Sequence, residues 1–175
     1  KLQEQFDTDV FELPWNKLVA GARVEPEDVR ALSAKPLSAT REEHFDNWYD
    51  PCVSQLPLHL ARLVCQRTNI SYDARLRRKY GSWLLYLTII FGVVLLFAGL
   101  VMGLKFSDLL VTLLVPFLPV LTWSLRERLQ HANTAISLTN LSAEWGEIWT
   151  RALDGADETE VTSNSRGLQD AIYQH

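Results

Sequence analysis

Residues 82–104 read SWLLYLTIIFGVVLLFAGLVMGL, 23 consecutive residues without a charge. As a helix rising 1.5 Å per residue they span roughly 34 Å, enough to cross a hydrocarbon core about 30 Å thick. Lys105-Phe106-Ser107-Asp108 follows, and then a second uncharged run, 109–125, LLVTLLVPFLPVLTWSL, of 17 residues. That run spans roughly 26 Å, near the lower limit for a crossing. Two apolar runs joined by four polar or turn-forming residues predict a transmembrane helical hairpin. The competing explanation is a buried pair in a soluble core, but core helices are seldom apolar all round for 23 residues.

The flanking charges orient the hairpin. Arg75, Arg77, Arg78 and Lys79 precede the first run, and Arg126 and Arg128 follow the second. The turn carries one Lys beside one Asp. The positive-inside rule then puts both flanks in the cytoplasm and the turn outside. Trp83 and Trp123, at the start of one run and the end of the other, mark the same interface. Within the runs Gly99 and Gly103 form a GxxxG pair that lets another helix approach closely. Pro116 and Pro119 each remove an amide donor and predict a kink or hinge. Neither run contains an ionisable residue, so no intramembrane proton relay is expected. One hairpin cannot enclose a channel, so a pore requires further helices.

Working outward, the 175 residues hold 17 Lys and Arg against 21 Asp and Glu, a formal net charge of -4. Mean hydropathy is -0.03, an ordinary soluble value, but the distribution is blocky. Residues 1–60 carry a net -5, 61–81 a net +5, and 126–175 a net -4, while 82–125 hold only Lys105 and Asp108. Gly and Pro are too few for a collagen or linker protein. Two cysteines exclude a disulfide scaffold. The mild acidity argues against binding of DNA or RNA polymers. The sole methionine is Met102 while the chain opens with Lys1, which predicts a longer parent chain.

The flanks read as helical. Pro26-Glu27-Asp28 opens a short helix ending near Lys35-Pro36. Thr40-x-x-Glu43 is a capping box for another through about Trp48. Pro57 opens a longer helix with Leu60, Leu63, Val64 and Arg67 at helical spacing, continuous with the first span. After the second span, Leu129, Ala132, Ile136, Leu141, Trp145, Ile148, Trp149 and Ala152 predict an apolar stripe ending at Asp154-Gly155. Residues 154–165 read as an acidic loop, and Leu168 to Ile172 as the start of another helix. The expected fold class is mainly α: an integral membrane helical hairpin with cytoplasmic helical regions packed from both flanks. Its divisions are 1–81, 82–125 and 126–175.

Catalytic signals are weak: there is no GxSxG, P-loop or HExxH pattern, and no enzyme activity is expected. Arg41-Glu42-Glu43-His44 superficially resembles a metal or acid–base cluster, but the simpler reading is the solvated face of a short helix. His44, Cys52, His59 and Cys65 match no zinc-finger spacing, so neither metal nor cofactor is expected. Arg75, Arg77 and Arg78 offer an anionic-ligand site, against the simpler role of topology and lipid contact. Arg62 and Arg67 lie further back among apolar neighbours, where an arginine needs a carboxylate or a ligand phosphate. The acidic N-terminal region makes internal pairing the default for both.

Several strings together resemble a known family. They are Gln3-Glu4-Gln5-Phe6-Asp7, Leu13-Pro14-Trp15-Asn16, Asn47-Trp48-Tyr49, Cys65-Gln66-Arg67-Thr68-Asn69, Asp73-Ala74-Arg75-Leu76-Arg77-Arg78, the hairpin, and Leu168-Gln169-Asp170-Ala171-Ile172. In this order around a hairpin they resemble the bacterial SMODS-associated four-transmembrane effector family. The resemblance implies a pore-forming effector of phage defence in the inner membrane, triggered by a cyclic oligonucleotide and acting by membrane disruption. It also implies homo-oligomers, the lipid bilayer as partner, and a second hairpin, expected upstream of Lys1. Asp7, Trp15, Asn16, Trp48, Tyr49, Cys65, Gln66 and Asn69 are motif residues with a role in the fold or the sensor. The alternative is a membrane-anchored interaction module without a pore, binding a protein partner through its Trp145 and Trp149 face.

Overall fold

The computed structural model describes residues 1–175 apart from 35, 37, 47 and 175 and the side chains of 44 and 45. All regular structure among the described residues is helical. Four short helices come first: α1 (Leu2–Val10), α2 (Lys17–Ala20), α3 (Pro26–Ser33) and α4 (Ala39–Asp46). A 3₁₀ turn, Pro51–Gln55, leads to α5 (Leu58–Val101). After the hairpin turn, α6 (Phe106–Leu109) passes through a π-helical turn, Leu110–Leu114, into α7 (Val115–Leu153), and α8 (Glu158–Gln174) closes the chain.

Local chemistry sets the boundaries. Asn16 caps α2, its side chain accepting from Leu18 N–H. Pro26 starts α3 with Glu27 and Asp28 in the first turn, as expected. The expected end near Lys35 falls partly outside the described residues. Helix α4 begins ahead of Thr40 because Ser38 O already accepts from Arg41 and Glu42 N–H. Pro57 O accepts from Leu60 and Ala61 N–H and launches α5, which continues unbroken for 44 residues into the first apolar run. The acidic stretch read as a loop is a correction: α8 begins at Glu158, ten residues before Leu168. Asp157 accepts from Thr159 N–H, and Glu158 and Glu160 suit the positive end of the helix dipole.

The chain divides into two compact units. One, the polar unit, joins Lys1–Ser71 to Leu138–His175, so helical regions from both flanks do pack together. Leu63, Ile70, Leu138, Leu141, Trp145 and Val161 are among its buried apolar residues. Phe11, Leu13 and Cys65 form a further cluster covered by Tyr49 and Val53. Half of the expected α7 stripe is right, since Leu141, Trp145, Ile148 and Ala152 are buried. Leu129 and Ile136 are instead exposed.

The hairpin unit is Tyr72–Ser137. Both long helices, Leu58–Val101 and Phe106–Leu153, are long and apolar enough to cross a membrane, and only 11% of the most apolar window of each is buried. The helices of a buried pair would be covered, whereas Phe91, Val94, Phe97, Leu100, Val111 and Val115 all face outward. The inner seam is made of small residues. A Cβ on Gly92 would meet the Phe117 ring at 2.9 Å, and one on Gly99 would meet Leu113 Cδ1 at 2.7 Å. Thr88 hydroxyl donates to Ser124 Oγ across the seam at 2.9 Å. Such close approach is how apolar helices gain packing energy in lipid.

Gly103 departs from its expected packing role. Its φ is +70°, and Leu104 N–H donates to Gly99 O while Gly103 N–H donates to Leu100 O. Gly103 therefore terminates α5 in the left-handed region that favours glycine, while Gly99 alone packs, against its own hairpin partner. Pro116 lies in the first turn of α7 and Pro119 inside it. Just before them Val115 N–H bonds Leu110 O, five residues back, in the π-helical turn. Such turns accommodate the donors that prolines remove.

Candidate functional site

Asp7, Asn16 and Gln66, motif residues scattered in sequence, converge in a buried polar network within the polar unit. At its centre is Arg166 on α8. Its Nη2 donates to Glu4 Oε1 at 2.6 Å and to Asp170 Oδ1 at 2.5 Å, and its Nη1 donates to Pro14 O at 3.2 Å. Gln169 Nε2 donates to Glu4 Oε2 at 2.9 Å and to Asp7 Oδ2 at 3.4 Å. Gln66 on α5 donates to Ser165 O and Gln169 Oε1, and accepts from Ser165 hydroxyl at 3.0 Å. Asn16 Nδ2 donates to Asp170 Oδ2 at 2.7 Å. One continuous chain of hydrogen bonds thus ties α1 and the 14–16 segment to α5 and α8.

The charges do not balance. Glu4 and Asp170 share the Arg166 guanidinium, and among the described residues Asp7 has no cation partner, only Gln169. Burial, helped by the nearby Glu4 charge and opposed by the Gln169 hydrogen bond, pushes the Asp7 carboxyl up to about 6. Burial also raises the Cys65 thiol to about 11 and the Tyr49 phenol to about 12. Cys65 is therefore an inert core thiol. Asn69 Oδ1 accepts from Trp48 Nε1 and Tyr49 hydroxyl at 3.3 and 3.2 Å, which ties the segment after α4 to α5. Trp15 Nε1 donates to Gly21 O at 2.8 Å and lies under the Arg23 guanidinium. Asn47, part of the same motif, lies outside the described residues.

The candidate arginines divide sharply. Arg62 is buried, but its partners are not the expected carboxylates. Its Nε donates to Phe11 O, its Nη1 to Thr162 hydroxyl at 3.0 Å and its Nη2 to Glu12 O at 3.3 Å. Backbone carbonyls at the end of α1 supply the acceptors that sequence reading sought in side chains. Arg67 is exposed, with its guanidinium 4.5 Å from the Trp145 ring centroid. Arg77 pairs with Asp73 at 2.9 Å, and Arg75 and Arg78 are exposed on the same helix. Trp145 is 5% exposed and donates from Nε1 to Leu63 O. It belongs to the fold, which leaves the alternative of a Trp145 and Trp149 partner-binding face without its main anchor.

Ser165 and Arg166 escaped sequence reading, because Ser165 ends the polar string read as a loop and Arg166 falls between it and the helix expected from Leu168. A signal was present: Ser165, Arg166, Gln169 and Asp170 recur at three- and four-residue spacing, one face of a helix. Among the described residues no group of three His, Cys, Asp or Glu side chains is placed to hold a metal. The network positions helices and shows no nucleophile beside a base.

With this geometry in view, the comparisons with known proteins decide the family. The model of the SMODS-associating 4TM effector domain matches residues 1–175. The chain belongs to the SMODS-associating 4TM effector domain family. A Bacillus cereus (strain VD146) protein named "Probable CBASS effector molecule" is 24% identical over 174 residues, 99% of this chain and 57% of that protein. The chain thus spans little more than half the length of that relative. No solved structure matches. Family membership and the outward-facing apolar hairpin together make this 4TM effector domain a membrane protein, and the convergence of its motif strings on Arg166 and Gln169 shows what holds its polar unit together.

Proposed function

We propose that this 4TM effector domain acts in bacterial phage defence, as a non-enzymatic membrane effector that breaches the inner membrane when a cyclic oligonucleotide is made on infection. Its carrying observation is the hairpin: two apolar helices, 11% buried in their most apolar windows, in a chain matched from end to end by an effector family. Exposed apolar faces without an ionisable group suit lipid and neighbouring helices, not a proton relay or transport site. The relative's name, a probable CBASS effector, supports the defence context.

In this reading Arg75–Lys79, Arg126 and Arg128 hold both flanks in the cytoplasm, and several copies supply the helices that one hairpin lacks for a pore. Helices α5 and α7 each run without interruption between the polar unit and the hairpin unit. A ligand on the polar unit opens the membrane assembly only by binding the open state more tightly than the closed one.

The test is dye release from liposomes holding the full-length protein, challenged with cyclic di-AMP, cyclic GMP–AMP and cyclic tri-AMP. Release with one of the three and not with linear counterparts is expected. Intact liposomes with all of them would contradict the proposal.

A further inference from the structure

Of the polar unit's arginines, Arg62 donates from Nε, Nη1 and Nη2 and Arg166 from Nη1 and Nη2 inside the fold, whereas Arg67 makes no such bond. It is exposed, and among the described residues it makes no hydrogen bond or ion pair; its guanidinium lies over Trp145, 4.5 Å from the ring centroid. Trp145 is stacked in turn on Trp149, with centroids 5.4 Å apart and planes 16° from parallel. Arg67, Trp145 and Trp149 therefore form a ladder of planar groups. Its middle rung is fixed by the Trp145 Nε1 hydrogen bond to Leu63 O. The other two rungs reach the surface.

The surroundings keep the ladder open. Gly146 lies one turn before Trp149, and a Cβ there would meet nothing within 4 Å. By the helical period Glu147 falls on the far side of α7 from Trp145 and Glu144 about 100° round from it, and neither is ion-paired with Arg67 among the described residues. The side chain is pre-organised by stacking while its N–H fork stays available, and that fork matches a phosphate in two-point geometry. Planar arginine and tryptophan are also the groups on which nucleobases stack.

We propose that the Arg67–Trp145–Trp149 ladder is the nucleotide-recognition site of the polar unit, with Arg67 holding a phosphodiester and the surface rungs stacking a base of a cyclic oligonucleotide. This rests on the proposed function and names where that function takes its signal. The basic segment at Arg75–Lys79 serves topology, not recognition.

Full-length protein in detergent is titrated with cyclic di-AMP, cyclic GMP–AMP and cyclic tri-AMP by calorimetry and tryptophan fluorescence, and the same variants are assayed for liposome leakage. Binding to wild type quenches tryptophan emission. Arg67→Ala weakens binding roughly tenfold or more, and Arg67→Lys restores part of it, because an ammonium keeps the charge but loses the plane. Trp149→Leu weakens binding about tenfold, the scale of one lost base stack. Arg67 is exposed, so its variants keep the wild-type melting profile. Wild-type affinity and leakage in both Arg67→Ala and Trp149→Leu would overturn this site and leave the proposed function standing. A wild-type protein that neither binds nor leaks with any probe would overturn both.

Discussion

Replacing Arg166 with alanine strands the Glu4 carboxylate at a position 2% exposed. Breaking a buried pair by removing one partner typically costs 3–5 kcal/mol. Arg166→Ala should therefore lower the stability of the polar unit by about that much in reversible denaturant titration, and Arg166→Lys by less. Asp7 gives a pH signature of the opposite kind. Its carboxyl rises from the usual 3.8 to about 6 in the folded protein. Between those values the folded chain holds a proton that the unfolded chain releases, so stability falls as pH rises through that window and is flat above it. Asp7→Asn should abolish that slope. At pH 7 it should stabilise by about 1–2 kcal/mol, short of the roughly 3 kcal/mol that two pKa units represent, because the Gln169 hydrogen bond loses its charge. Melting curves at pH 4.5 and 7 check both statements. Asp7, Asn16, Gln66 and Asn69 were legible as motif residues, since a resemblance preserves residues whatever their role. Their mutual contacts were not, because hydrogen bonds between residues about 160 apart, such as Gln169 to Glu4, leave no periodic trace.

At the scale of elements, apolar periodicity served well where a helix buries apolar groups and failed where it buries polar ones. The first span and its continuation from Pro57 were legible because charge-free length and a proline start suffice. Helix α8 was half missed because, before Leu168, its buried residues are Val161 alone among apolar groups and then Ser165 and Arg166, too few apolar groups to show a helical period. The seam of the hairpin was also misread, with GxxxG assigned to Gly99 and Gly103 while Gly92 went unnoticed. Contact geometry separates these glycines. An added Cβ at Gly92 meets a rigid aromatic ring, and one at Gly99 meets the free end of Leu113, a branched tip that can turn aside. Gly92→Ala should thus destabilise the hairpin by about 1–3 kcal/mol, the usual cost of overpacking, and Gly99→Ala by less. Unfolding in mixed micelles orders the two.

For the whole molecule, the near-zero mean hydropathy is the average of a charged helical unit and a hairpin whose apolar side chains face outward. That separation follows from the sequence alone, since 82–125 holds only Lys105 and Asp108. Which residues pair the two flanks did not follow, because the pairing depends on buried polar groups. The central physical claim is that the hairpin crosses the bilayer with both flanks on one side. Cysteine labelling tests it most directly. Cys52 is exposed and reports on the N-terminal flank, while Ser107→Cys in a Cys52→Ser background reports on the turn. With a membrane-impermeant maleimide on intact spheroplasts, Ser107→Cys should label at once and Cys52 only after lysis. Labelling of Cys52 before lysis, or of both positions alike, would contradict the account.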